Sequence, residues 1–438
     1  MKRAFLAGCA LLLLAGAKWP KTKLTADEQA EHLLSRLTFG ARPGDAAEIQ
    51  RVGVKKWIDR QMHPDLIGES PRLIGKLSAL KTINESPAAL AQEFPLRGEA
   101  QARVATIGRE LTEAKVYRAL YSERQLEEVL VDFWFNHFNV NFQKGAGRYL
   151  TADYERTAIR PHVFGHFGDL LRATAEHPAM LFYLDNWQST GPQIPRRGLN
   201  ENYARELMEL HTLGVEGGYT QKDVTEVARC FTGWTIRNPR EGGGFRFAER
   251  MHDAGAKVVL GVTIPAGGGQ KDGLRVLEVL ETHPSTARFI SRKLAQRFVS
   301  DDPPQKLVER MAGEFRKTHG DLRAVYKVMF ESPEFWSKEA YRAKIKSPLE
   351  YVAGAGRALD ADVTNALPLV GAIGQMGMPL YRKQEPTGYP NTTEQWLNAG
   401  TLAARVNFVT ALAANRLPGV KVEAGDAGAL TAPEFQRR

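Results

Sequence analysis

Cysteine is nearly missing from this chain of 438 residues: only Cys9 and Cys230 occur. Cys9 lies in a leader-like start, so the mature chain is expected to hold no internal disulfide and no cysteine-built zinc site. Stability must then come from packing. Cys230, in the apolar stretch VARCFTGW, reads as an inert core thiol. Long hydrophobic runs are missing too. The apolar run Ala4–Leu14 is too short to span a bilayer, and no transmembrane helix is expected in the mature chain. Basic residues outnumber acidic ones 59 to 50, but they form no arginine-rich tract and do not interleave with aromatics, which argues against nucleic-acid binding. The chain also lacks His-Glu-x-x-His, Gly-x-Ser-x-Gly, a P-loop and a dinucleotide fingerprint, which sets aside several familiar enzyme classes.

What is present begins with MKRAFLAGCALLLLAGAKWP. A basic start, an apolar stretch and Ala15-Gly16-Ala17 describe a signal peptide over 1–17 cleaved after Ala17, and so a periplasmic or secreted protein. LAGC at 6–9 resembles a lipoprotein box but leaves little hydrophobic core before Cys9, so lipidation is the lesser alternative. Loss of Lys2 and Arg3 leaves a net charge of +7, enough to favour anionic envelope polymers weakly.

Most of the remaining sequence has helical periodicity. Thr25-x-x-Glu28, Ser122-x-x-Gln125 and Thr220-x-x-Asp223 read as capping boxes, and Gly40, Gly214 and Gly233 as stops. Residues 238–273 differ, with nine glycines and the β-branched run KVVLGVTI, and predict a β-hairpin or small sheet within long loops. The expected architecture is mainly α: a multi-helix globular protein in which 18–438 form one helical domain carrying a small β insertion.

The stretch NENYARELMELHTLG, residues 200–214, concentrates ionisable groups. On a regular helix, Tyr203, Leu207, Leu210 and Leu213 would form the core stripe, with Asn202, Glu206 and Glu209 stacked on another face. Arg205 lies four residues from both Glu201 and Glu209, and His211 falls roughly opposite Glu209. This pattern describes either a solvated face laced by ion pairs or a partly desolvated polar cluster; the apolar residues on its other faces favour the second. His137, in FWFNHFNV, reads as either a core histidine or a ligand. His252-Asp253, where the glycine-rich insertion begins, reads as either a loop feature or a metal or orienting pair.

Five stretches, HLLSRLTFGARPGD (32–45), VLVDFWFNHFNV (129–140), NENYARELMELHTLGVEGGYTQKDVTEVARCFTGW (200–234), HPSTARFISRKLAQRFVSDDP (283–303) and SPEFWSKEAYRAKIKSPLEYV (332–352), resemble the bacterial family known as domain of unknown function number 1800. That resemblance implies an exported protein with a co-encoded, sulfatase-like exported protein as its partner. One departure is Tyr389, where the family pattern carries a tryptophan.

The site expected on this basis gathers Glu206, Glu209, Arg205 and His211 as catalytic groups, one glutamate acting as general acid or base and Arg205 orienting a carboxylate or an anionic substrate group. Asn136, Asn202 and Trp234, which match the family's motifs, are assigned to substrate contact. His137, His252 and Asp253 are assigned to a divalent metal. The functional expectation is a hydrolase of an envelope or extracellular polymer. The alternative is a non-catalytic periplasmic or surface protein that binds a partner protein, a glycan or a metal.

Overall fold

The computed structural model describes residues 22–95, 103–194, 198–238, 243–423 and 427–438. The leader expected over 1–17 lies outside them. The described chain is mainly α-helical, with three small antiparallel strand pairs. Two pairs fall at the glycine-rich insertion: Trp234–Ile236 with Phe245–Phe247, and Lys257–Val259 with Val262–Ile264. The third, Asp362–Val363 with Val420–Lys421, ties two distant stretches and was not expected. Buried apolar side chains from Leu24 to Leu430 form one continuous cluster.

Local capping explains where many helices start. Thr25 accepts from the Glu28 amide while the Glu28 carboxylate accepts from the Thr25 amide, and Thr220 and Asp223 repeat that exchange. The box expected at Ser122 does not form. Gln125 turns inward instead: its Oε1 accepts from the Phe39 amide at 3.0 Å, and its Nε2 donates to the carbonyls of Ser122 and Ala119. The helix there runs Gln125–His137.

Both ends of that helix are tied to distant parts of the chain. Its first turn is held by Glu128, whose two oxygens receive both Nη atoms of Arg160 at 2.7 and 2.8 Å. Such a two-pronged pair fixes orientation as well as charge. Its last turn presents two neighbours to different partners. Asn136 meets the loop at 377–392, and His137 meets the helical segment that begins after Asn200.

Candidate functional site

The segment after Asn200 is not one regular α-helix. An α-helical turn, Asn202–Glu206, runs directly into a π-helical stretch, Leu207–Thr212. The Leu213 amide donates to the Met208 carbonyl at 2.8 Å and the Thr212 hydroxyl to the Leu207 carbonyl at 2.7 Å, both five residues back. The expansion changes which residues face inward. Tyr203, Leu207 and His211 are buried, as are Ala204, Met208 and Thr212, a spacing of four in each row. A 3.6-residue period predicts Leu210 inside; it is only partly buried, and His211 takes the interior position instead. Gly214 closes the segment at φ 81°, where an added Cβ would strike the Phe289 ring.

Glu206 and Glu209 lie on the partly exposed side. Glu206 makes no hydrogen bond or ion pair among the described residues, and burial, followed by the charge of Glu209, raises its pKa above the ordinary carboxyl value. Two tyrosines border the pair. Tyr219 stands against Glu209, and burial and then that carboxylate raise its pKa. Tyr183 donates to the Gln384 carbonyl at 2.6 Å; burial holds its hydroxyl well above its ordinary range, with Glu206 adding to the effect. Arg205 bonds neither glutamate, although its charge partly offsets the rise at Glu206. Its Nη2 donates to Gln221 at 2.8 Å and approaches Glu201 at 3.5 Å, and Glu201 also accepts from Gln221 and Thr225. Arg205 therefore clamps the Asn202–Glu206 turn onto the helix Gln221–Phe231.

His211 and His137 belong to the core. Nε2 of His137 donates to the His211 carbonyl at 3.1 Å, the ring centroids stand 6.1 Å apart, and Phe133, Trp134 and Phe138 surround His137. Burial, aided by the ammonium of Lys293, brings the pKa of His211 down to about 3 and holds that of His137 well below the usual imidazole value. Both rings are neutral at ordinary pH. Lys293 itself is brought down to about 8 by burial, and no carboxylate pairs with it among the described residues.

His252 and Asp253 sit in a separate buried network. Nδ1 of His252 donates to the Thr232 carbonyl at 2.8 Å, and its Nε2 faces Asp272 at 3.1 Å. Lys257, fully buried, bonds Asp272 at 2.5 Å and also reaches the Asp253 carbonyl. The Asp253 carboxylate is taken by Arg229 at 2.7 and 3.2 Å. The expected metal set of His137, His252 and Asp253 is thus split between two clusters, with both His252 nitrogens already engaged. Among the described residues no three His, Cys, Asp or Glu side chains are arranged to hold a metal ion. The donor set does not fit a divalent metal.

The residues assigned to substrate contact are spent on structure as well. Trp234 is 0% exposed, packed edge-on against Phe231 and Phe245 and closely over Gly273. Asn136 uses both ends of its amide on the Tyr389 backbone, each bond 2.6 Å. Asn202 is exposed and ties back to the Leu184 carbonyl at 3.4 Å. Sequence reasoning missed Lys293, Tyr183, Tyr219, Lys257 and Asp272. Only Tyr219 lay close enough in sequence to the glutamates to be found by proximity.

A helical protein with a partly buried glutamate pair, Glu206 unbonded among the described residues and Glu209 beside Tyr219, where an α-helical turn passes into an expanded one, is the class that fold and geometry define. The family model described as "Protein of unknown function (DUF1800)" matches residues 32–436, and the chain belongs to that family. No curated protein matches the chain, and no solved structure does.

Proposed function

We propose that this protein is a hydrolase of an envelope or extracellular polymer, with Glu206 and Glu209 as its acid–base pair. One observation carries the reading: Glu206 is partly buried, has no partner among the described residues, and keeps its proton to higher pH than an ordinary carboxyl because of burial and Glu209. In this scheme Glu206 gives its proton to the leaving oxygen, while Glu209 takes one from the attacking water. No metal enters the scheme. Arg205, His211 and Trp234 act through the fold rather than on substrate. The leader at 1–17 supports export, and the family resemblance supports a sulfatase-like exported partner.

The test compares Glu206→Gln and Glu206→Ala with the parent protein, measuring release of reducing ends from purified envelope polysaccharides and thermal unfolding. Loss of turnover with an unchanged melting temperature supports the pair as catalytic. A protein that unfolds on Glu206→Ala makes the cluster scaffold. The second reading, a non-catalytic binding protein, draws support from the many motif residues engaged in internal bonds; it requires polymer capture without turnover in the parent protein.

A further inference from the structure

A second feature lies on the other side of the helix Gln125–His137, under the loop 377–392. Arg297, Glu350 and Arg438 line a narrow cleft there together with Tyr389, Asn391 and Trp396. The cleft volume is about 30 Å³, enough for two or three water-sized oxygens at about 10–15 Å³ each, so a four-oxygen ion would enter with only part of its oxygens. Arg297 and Arg438 are each 4% exposed and both meet one carboxylate oxygen, Oε1 of Glu350, at 2.6 Å. The other Glu350 oxygen accepts from the Ser347 amide at 2.8 Å. Nη1 of Arg297, Nε and Nη1 of Arg438 and Oε1 of Glu350 are all left buried without a hydrogen-bond partner, so the two 2.6 Å contacts are ion pairs and not aligned hydrogen bonds.

The charge behind this cleft is one-sided. Arg36, Lys344, Lys346 and Arg405 are all buried around the same group, opposed by Glu350, by Asp301, which is bonded to Lys344, and by Glu31, whose charge acts on Lys346. Arg36 leaves two guanidinium nitrogens unpartnered and Arg405 leaves one. Aromatic faces give partial relief: Lys346 lies 3.7 Å over Phe435 and Arg405 4.8 Å over Tyr351. The backbone oxygen of Arg438 accepts from the Lys344 amide at 3.1 Å. At the far end of the cleft, Asp132 is held by Lys115 at 3.0 Å. Burying an ion costs several kcal/mol unless it is paired, and an orphaned buried donor requires its own explanation. Burial pushes Arg36 down to about 9, and Lys344 and Lys346 to about 8, the direction expected in a positive, dry environment.

We propose that this cleft binds a tetrahedral oxyanion, phosphate or sulfate, between Arg297 and Arg438, either as the free ion or as the tip of an ester whose remainder lies outside the cleft. Planar guanidinium forks match such oxygens in geometry and charge. The experiment measures thermal unfolding of the whole protein against phosphate, sulfate or methyl phosphate, with chloride adjusted to hold ionic strength constant. A saturable rise in melting temperature is expected, with affinity falling about tenfold or more in Arg438→Met and Arg297→Met. Methyl phosphate matching phosphate assigns an ester group; phosphate or sulfate acting alone assigns the free ion. No saturable rise with any of them, or the same rise in both variants, overturns the proposal. Should the variants fail to fold, equilibrium dialysis of labelled phosphate against the parent protein decides, with one ion per chain expected and none overturning it.

Discussion

Nε2 of His137 donates to the main-chain oxygen of His211 across 3.1 Å, joining the end of one helix to the expanded turn of another. His211 reaches the interior because the π-helical stretch gives its surroundings a four-residue spacing. His137→Phe keeps the bulk but leaves that oxygen dry. A loss of about 1–3 kcal/mol in urea unfolding is expected, and a change within error would mean that the bond contributes nothing.

The same two rings set a pH dependence. Both have folded pKa values below that of a free imidazole, His211 at about 3, so the unfolded chain binds protons first as pH falls. Stability is therefore complete above the unfolded value, near pH 6.5, and declines as pH falls, for His211 down to about pH 3, at roughly 1 kcal/mol per pH unit for each ring. His211→Leu should flatten that slope. An unchanged slope between pH 6.5 and 4.5 would assign the acid sensitivity to other groups.

How much of this was legible in the sequence depended on range. The boxes at Thr25 and Thr220 were readable because a cap is decided within four residues, and glycine with β-branched residues marked strand pairing within 238–273, although the strand Trp234–Ile236 starts before that stretch. Ser122 carried the same signal, yet Gln125 was drawn inward by Phe39, 86 positions away. A contact at that range leaves no local trace. The polar motif at 200–214 was visible as a motif, but its inner and outer faces were not, because one expanded turn moved His211 inward and Leu210 outward. Arg36, Arg297 and Arg438 lie far apart in the sequence, and nothing in their spacing says that one buried carboxylate gathers them.

The Lys257–Asp272 pair tests whether the network around His252 is scaffold. Removing one partner leaves a charge buried with no compensation, so Lys257→Met alone should cost about 3–5 kcal/mol. Replacing both, as Lys257→Met with Asp272→Leu, should recover a large part of that loss. Equilibrium unfolding of the three variants checks it, and equal losses in single and double variants would refute the pairing.

Gly388 holds the loop 377–392 against the end of the helix Gln125–His137. Its φ is 70°, and a Cβ there would collide with the Asn136 carbonyl oxygen beside the two bonds that Asn136 makes to Tyr389. Gly388→Ala is expected to release the loop while the helical core stays folded. Limited proteolysis should then cut first within 377–392, while helical circular dichroism is retained; a cleavage pattern like the parent's would show that the loop is held elsewhere.

Lys293 gives the prediction with the least intuitive sign. Its ammonium is brought down to about 8 by burial alone and lies close enough to both imidazoles to help keep them neutral, and no carboxylate pairs with it among the described residues. A folded pKa below the unfolded value means that the charged form is disfavoured by folding, so below about pH 8 the side chain opposes the native state, and the penalty fades as pH rises toward its unfolded value. Lys293→Met keeps the stem that packs near Phe289 and removes the charge. The variant should be more stable than the parent at pH 7, by about 1 kcal/mol or more, with the gain shrinking toward pH 10. If Lys293→Met destabilises the protein at pH 7, the ammonium has a native partner that offsets its burial, and the core around His137 and His211 is held together by that charge.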